Sequence, residues 1–357
     1  MSTLNPSRLI SGTFLGIDHF SDEEATRFQA DLRSLDEAQW ARMIDDMHGI
    51  GIDTLIFQQC ATRREGGDRP TAYYPSPTRP RMRWQKGDTF GAVVRRATEL
   101  GMKIFYGIGD MAGPESYLHG DEAWVDMEVT IRELAGLYAG LPSFGGWYWT
   151  SEYPPSSMMG RDVLRRDIPK VRALHDADVL LAPGLDAAIS ATLLGDIDVD
   201  ILAYQDGVGI NITPKSWNRF PATNRHHSLD RLPYYWELIK RGHDGWQDPE
   251  KPTTFWNYYT RPRGRTKLWN DLEIWEFDHR GALIPGEMSR IQSQLELSAP
   301  FVDKQTIFQY PGLMCHPDAP VKVGGERAVE LYEQYAAYRQ RLLTEGPGFL
   351  EAGNGGT

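Results

Sequence analysis

Three carboxylates stand where short apolar runs give way to loops, each among aromatic or amide side chains. Glu152 ends the run Trp147-Tyr148-Trp149-Thr150-Ser151-Glu152 and is followed by Tyr153-Pro154-Pro155. An acid between aromatics, on a loop stiffened by two prolines, is suited to partial burial. Desolvation raises the pKa of such a group, as a general acid at neutral pH requires. Asp206 lies in Ala203-Tyr204-Gln205-Asp206-Gly207-Val208-Gly209. Here Gln205 and Asp206 can hydrogen-bond hydroxyl groups, and the glycines let backbone come close to a ligand. Glu273 lies in Leu268-Trp269-Asn270-Asp271-Leu272-Glu273-Ile274-Trp275-Glu276-Phe277. Strand side chains alternate, so Trp269, Asp271, Glu273 and Trp275 share one face. With Leu268, Leu272 and Ile274 turned to covering helices, Glu273 points the other way.

A pair of carboxyl groups on either side of a glycosidic bond is what glycoside hydrolysis needs, one as acid and one as nucleophile or base. A separation of about 5–5.5 Å goes with retention and roughly 6.5–9.5 Å with inversion. Glu152 and Glu273 form the leading pair. Asp206 is an alternative second carboxylate, or a turn residue in its Asp-Gly step, and Glu276 is a stand-in for Glu273. Sugar contacts are expected from Gln58, Gln59, Trp149, Tyr204, Gln205, Asn257, Trp275, Glu276 and Tyr310, since flat aromatic faces stack on sugar rings and amides bind hydroxyls. The adjacent pair His226-His227 has no metal-site spacing around it, and neither metal nor cofactor is expected.

The elements that must position these groups alternate regularly. Apolar runs read as strands at Gly12–Ile17, Thr54–Phe57, Lys103–Gly107, Phe144–Thr150, Val179–Ala182, Val199–Tyr204, Leu268–Ile274 and Thr306–Gln309. Amphipathic helices fall between them, the first opening with Ser34 and Glu37 as an S-x-x-E capping box. Later helices are expected at Val125–Leu141, Arg161–Leu174, Leu232–Arg241, Glu287–Leu297 and Arg327–Leu342. Eight strand–helix units match a (β/α)₈ barrel, and no G-x-G-x-x-G or P-loop supports an open doubly wound sheet. We read residues 11–344 as one catalytic barrel, residues 1–10 as an N-terminal segment and residues 345–357 as a flexible tail. The longest loops follow strands, which puts the working face at the strands' C-terminal ends.

Composition narrows the partners. The 357-residue chain carries a net charge of −11, which disfavours a nucleic-acid partner. Apolar runs are strand-sized, too short to span a bilayer. The 2 cysteines do not indicate a disulfide framework, and a cytoplasmic location is expected. A homo-oligomer stays open.

The runs Gly145-Gly146-Trp147-Tyr148 to Glu152, Ala203 to Gly209 and Leu268 to Glu273 resemble those of a family of bacterial glycosidase-like barrels catalogued as a domain of unknown function. The resemblance spans about Ser11 to Leu342. More distantly, the chain is similar to the clan of retaining glycosidases, which implies an acid/base on strand four and a nucleophile on strand seven. That likeness favours retention over inversion. Ser151 stands where the clan carries an asparagine before the acid, which leaves Asp206 open. Two other readings remain: a metal-dependent sugar isomerase or epimerase using Glu152, Asp186, Asp206 and Glu273, and a non-catalytic carbohydrate-binding barrel.

Overall fold

The eight apolar runs pair in parallel and close on themselves. The computed structural model describes residues 6–17, 30–62, 70–82, 86–109, 121–150, 158–183, 197–211, 228–243, 266–278 and 282–345. The barrel strands are β1 (Ile10–Leu15), β2 (Thr54–Phe57), β3 (Lys103–Gly107), β4 (Phe144–Trp149), β5 (Val179–Leu181), β6 (Ile201–Gln205), β7 (Lys267–Glu273) and β8 (Lys304–Phe308). Each pairs with its sequence neighbours, and β1 closes the ring against β8 through Gly12 opposite Thr306. Strands β7 and β8 each begin earlier than hydropathy suggests, at Lys267 and Lys304. A lysine at the start of a barrel strand reaches the solvent at the N-terminal end, so its charge does not end the pairing.

The described helices are α1 (Glu37–Gly49), α2 (Thr89–Glu99), α3 (Asp121–Tyr138), α4 (Met158–Leu174), α5 (Val208–Asn211), α6 (Leu232–His243), α7 (Met288–Ser298) and α8 (Gly325–Glu345). The capping box of α1 is built by Asp36 and Gln39, not by Ser34 and Glu37. Ser34 instead ends a 3₁₀ turn, and Glu37 accepts from the Asp88 backbone N–H at 2.7 Å. The two candidate boxes lie two residues apart in register, and only one can start the helix. Among the described residues no helix is long and apolar enough to cross a membrane. Cys60 and Cys315 are buried free thiols.

Alternation divides the wall into two faces. Phe14, Ile56, Phe105, Tyr148, Leu180, Ile201, Ala203 and Trp269 pack together inside the ring. Their neighbours in sequence, among them Leu15, Leu55, Ile104, Trp147, Trp149, Leu181, Leu202, Tyr204, Leu268 and Leu272, pack between the wall and the helices. On β4 the parity is set at Gly145-Gly146. The β3–β4 register slips there, from Ile104 opposite Phe144 to Phe105 opposite Gly146. Gly146 has φ +143°, and a Cβ there would lie 2.1 Å from the Asp178 carbonyl oxygen. Glycine is what lets β4 bulge and still touch β5.

Two small antiparallel ribbons decorate the loops, pairing Ala61–Thr62 with Thr71–Ala72 and Trp275–Phe277 with Leu283–Pro285. Strand seven was expected to run to Ile274. The ladder ends at Glu273 instead, and Trp275 opens the second ribbon.

Candidate active site

Trp269 belongs to the inner cluster and Leu268, Leu272 and Ile274 to the outer layer. Two-residue alternation therefore turns Glu273, the last residue of β7, toward the barrel interior at its C-terminal end. Glu273 is only 5% exposed. Its Oε2 accepts the backbone N–H of Ile210 in α5 at 2.7 Å. That approach depends on Gly209. A Cβ there would stand 2.4 Å from the Trp275 carbonyl oxygen, 2.9 Å from Glu273 Cβ and 3.1 Å from Glu273 Oε2. Only a residue without a side chain lets α5 seat against β7 so closely.

Beside it, Asp206 is fully buried. Ile201 and Ala203 face inward on β6, so Gln205 shares their face and Asp206 takes the helix side. Asp206 Oδ1 accepts the Val208 N–H at 3.1 Å and the Glu273 N–H at 3.3 Å. Its Oδ2 accepts Gln294 Nε2 at 2.7 Å. Gln294 and Arg290 sit one helical turn apart on α7, and both are buried. Arg290 Nη1 donates to the Glu273 carbonyl at 2.8 Å and to Gln294 Oε1 at 2.7 Å, while Nη2 donates to the Trp275 carbonyl at 3.0 Å. Gly286 makes room for the guanidinium, since a Cβ there would fall 1.9 Å from Arg290 Nη2.

The electrostatics follow from burial. Desolvation pushes the Asp206 carboxyl above the usual carboxylate range, against the hydrogen bonds of Gln294, Val208 and Glu273 and the charge of Arg290. Desolvation likewise lowers Arg290, against the negative charges of Asp206, Glu276, Glu273 and Glu287. Desolvation is the largest influence on both groups, and each one's charge helps hold the other ionised.

Arg290 and Gln294 were not singled out in the sequence. The available signal is their spacing: they share a helix face with Ile291, Leu295 and Ser298. An arginine and an amide on an apolar face must be satisfied from the strands beneath it.

The expected site residues separate into groups. Gln58 continues the inward face of β2 beyond Ile56, and Gln205 ends the inward face of β6, so both stand at the same end of the barrel as Glu273. Gln59 is turned away, its Nε2 donating to Tyr73 Oη at 3.1 Å. Glu276 sits on the ribbon and pairs with Arg327 at 3.5 Å. Trp275 is packed edge-on against Phe277 with centroids 5.0 Å apart. Glu152 and Asn257 lie outside the described residues, as do Asp186, His226 and His227.

Three aromatic expectations need correcting. Trp149, Tyr204 and Tyr310 pack in the outer layer between wall and helices, not at the mouth. Trp149 and Tyr204 are the parity partners of the inward Tyr148 and Ala203, and lying near a strand's end does not change which face a residue takes. Tyr310 lies two residues beyond the end of β8, where strand alternation no longer applies. It lines a cleft with Leu35, Met43, Met314 and Val323, beside α1.

Solved structures share the barrel. A putative α-L-fucosidase from Bacteroides thetaiotaomicron superposes with TM-score 0.68 at 21% identity, covering 95% of each chain. A glycoside hydrolase family 5 protein from Bacteroides vulgatus gives TM-score 0.54 at 11% identity, over 93% of this chain and 66% of the other. An endo-1,4-β-mannanase from Rhizomucor miehei gives TM-score 0.52 at 8% identity, over 93% of this chain and 95% of the other. At these identities the likeness is one of fold. No curated protein matches the sequence. The matching family covers residues 10–321, from the first barrel strand to the loop before α8, and the chain therefore belongs to DUF4434, described as a domain of unknown function.

Proposed function

We propose that this barrel is a glycoside hydrolase in which Glu273 is the nucleophile or base and Glu152 the acid. The observation that carries the reading is Glu273 itself: a buried carboxylate on the inward face of β7, at the strands' C-terminal end, held by the Ile210 N–H. A hydrogen bond to the ionised form favours the carboxylate, which suits a nucleophile or base. Asp206 spends its oxygens on Gln294 and two backbone N–H groups, and Glu276 is engaged with Arg327. Asp206 also takes the helix side of β6, and Glu276 lies beyond the end of β7 on the ribbon, so of the three Glu273 is the carboxylate on the inward face. Gln58 and Gln205 would hold substrate hydroxyls. The barrel it shares with proteins described as glycoside hydrolases supports a carbohydrate substrate.

The test is a panel of aryl glycosides and oligosaccharides. Glu152→Gln should remove nearly all turnover and leave ligand binding largely intact, because the amide keeps the shape but cannot deliver a proton. Activity within about tenfold of wild type, roughly 1.4 kcal/mol in barrier, sinks the acid role. The anomer first released, read by NMR, distinguishes retention from inversion. Dialysis against EDTA should leave the rate unchanged; a loss restored by Mg²⁺ or Mn²⁺ would favour the isomerase, and binding without turnover would favour the carbohydrate-binding barrel.

A further inference from the structure

The geometry points to Asp206 as a positioning residue that holds the Glu273 carboxylate against the Ile210 N–H, an inference resting on the reading of Glu273 as the reacting group. The backbone ladder between β6 and β7 ends with Gln205 opposite Asp271. One step on, the Asp206 N–H still donates to the Asp271 carbonyl at 3.1 Å. From there a side chain continues what the backbone has stopped doing. Asp206 Oδ1 takes the Glu273 N–H at 3.3 Å, extending the β6–β7 connection by one residue.

The same oxygen takes the Val208 N–H at 3.1 Å and so sets the first turn of α5. Two residues later that turn presents the Ile210 N–H to Glu273 Oε2 at 2.7 Å. A single carboxylate oxygen thus holds both the backbone from which the Glu273 side chain hangs and the segment whose N–H meets its tip. Rotation of Asp206 is blocked from the other side. Its Oδ2 receives Gln294 Nε2, and the Gln294 amide is itself oriented by Arg290 on Oε1. Gly209, between the two anchored residues, removes the side chain that would otherwise hold α5 off β7.

Among the described residues, charged groups around Glu273 include Asp206 just past β6, Asp271 on its own face of β7, Arg290 on α7, and Glu276, Glu287 and Arg327 farther out. Removing the Asp206 charge would shift Glu273 whatever Asp206 does, so the test compares two variants of equal charge. Asp206→Asn keeps an acceptor oxygen for the Val208 and Glu273 N–H groups; Asp206→Ala keeps none. Glu273 is read by NMR of ¹³C-carboxyl glutamate, its signal identified by Glu273→Gln. Glu273 should titrate about one pH unit higher in Asp206→Ala than in Asp206→Asn, because the ionised form loses its seated donor. Coincident titrations overturn the inference. Where Asp206→Ala does not fold, Asp206→Ser replaces it, with a hydroxyl one bond short of the Oδ1 position. Failure of wild type to turn over any aryl glycoside defeats the hydrolase reading and leaves the comparison of titrations standing. Turnover together with coincident titrations defeats the positioning role alone.

Discussion

The two ends of the barrel both carry charge, and they carry it differently. At the N-terminal end Lys304 Nζ donates to Asp53 and, at 2.7 Å, to Thr54 Oγ1, and it stands 5.3 Å from the Trp269 ring. Asp53 remains 62% exposed, so water screens the pair. At the C-terminal end Asp206, Glu273, Arg290 and Gln294 are all buried, and they hydrogen-bond within the group and to backbone. Solvent-facing ion pairs add little to stability, whereas removing one charged member of a buried network strands groups that water cannot reach. The lower end closes a barrel. The upper end surrounds a buried carboxylate with side-chain and backbone hydrogen bonds.

The largest effect should come from Arg290→Met. It removes the donors to the carbonyls of Glu273 and Trp275 and to Gln294, and leaves Asp206 buried without a cation. We expect a loss of about 3–5 kcal/mol in urea unfolding, little changed in 1 M salt because the buried network is shielded from solvent ions. A loss near that of a surface pair would collapse the contrast between the two ends.

Gly209→Ala should be intermediate. The added methyl meets the Trp275 carbonyl and Glu273 Cβ, so overpacking should cost about 1–3 kcal/mol. Displacement of α5 from Glu273 should also lower kcat more than it changes KM. An unchanged kcat would mean that the contact between α5 and Glu273 serves packing alone.

Lys304→Met should be the mildest. Its charged partner Asp53 is exposed, and the methionine keeps most of the stem over Trp269, so less than about 1 kcal/mol should be lost. Whatever is lost should shrink further at high salt. A cost as large as that of Arg290→Met would show that the lower pair is as desolvated as the upper network.

Much of the wall was legible because parallel strands buried on both faces read as nearly continuous apolar runs. Thr54–Phe57 and Lys103–Gly107 were read with the boundaries the structure has. The same logic applied to β7 turned Glu273 inward, since one outward leucine determines every residue of a pleat. It was not carried to β4 and β6, and there Trp149 and Tyr204 were taken for mouth residues on the strength of lying near a strand's end. Tyr148 and Gln205 hold the inward positions on those strands. On β4 the parity also depends on the slip at Gly145-Gly146, a backbone event that hydropathy does not register.

The sequence by itself determined the count of units, the positions of the strands and the presence of a carboxylate at the inward end of β7, because these follow from local periodicity. The tertiary structure alone decided what surrounds that carboxylate. Arg290 and Gln294 belong to a helix that begins fifteen residues after β7 ends, and Asp206 and Glu273 are 67 positions apart. Nothing in either segment specifies the other until the ring closes. Closure brings β6, β7 and α7 together, and the buried aspartate, arginine and amide then bond to one another and to the backbone of Val208, Glu273 and Trp275.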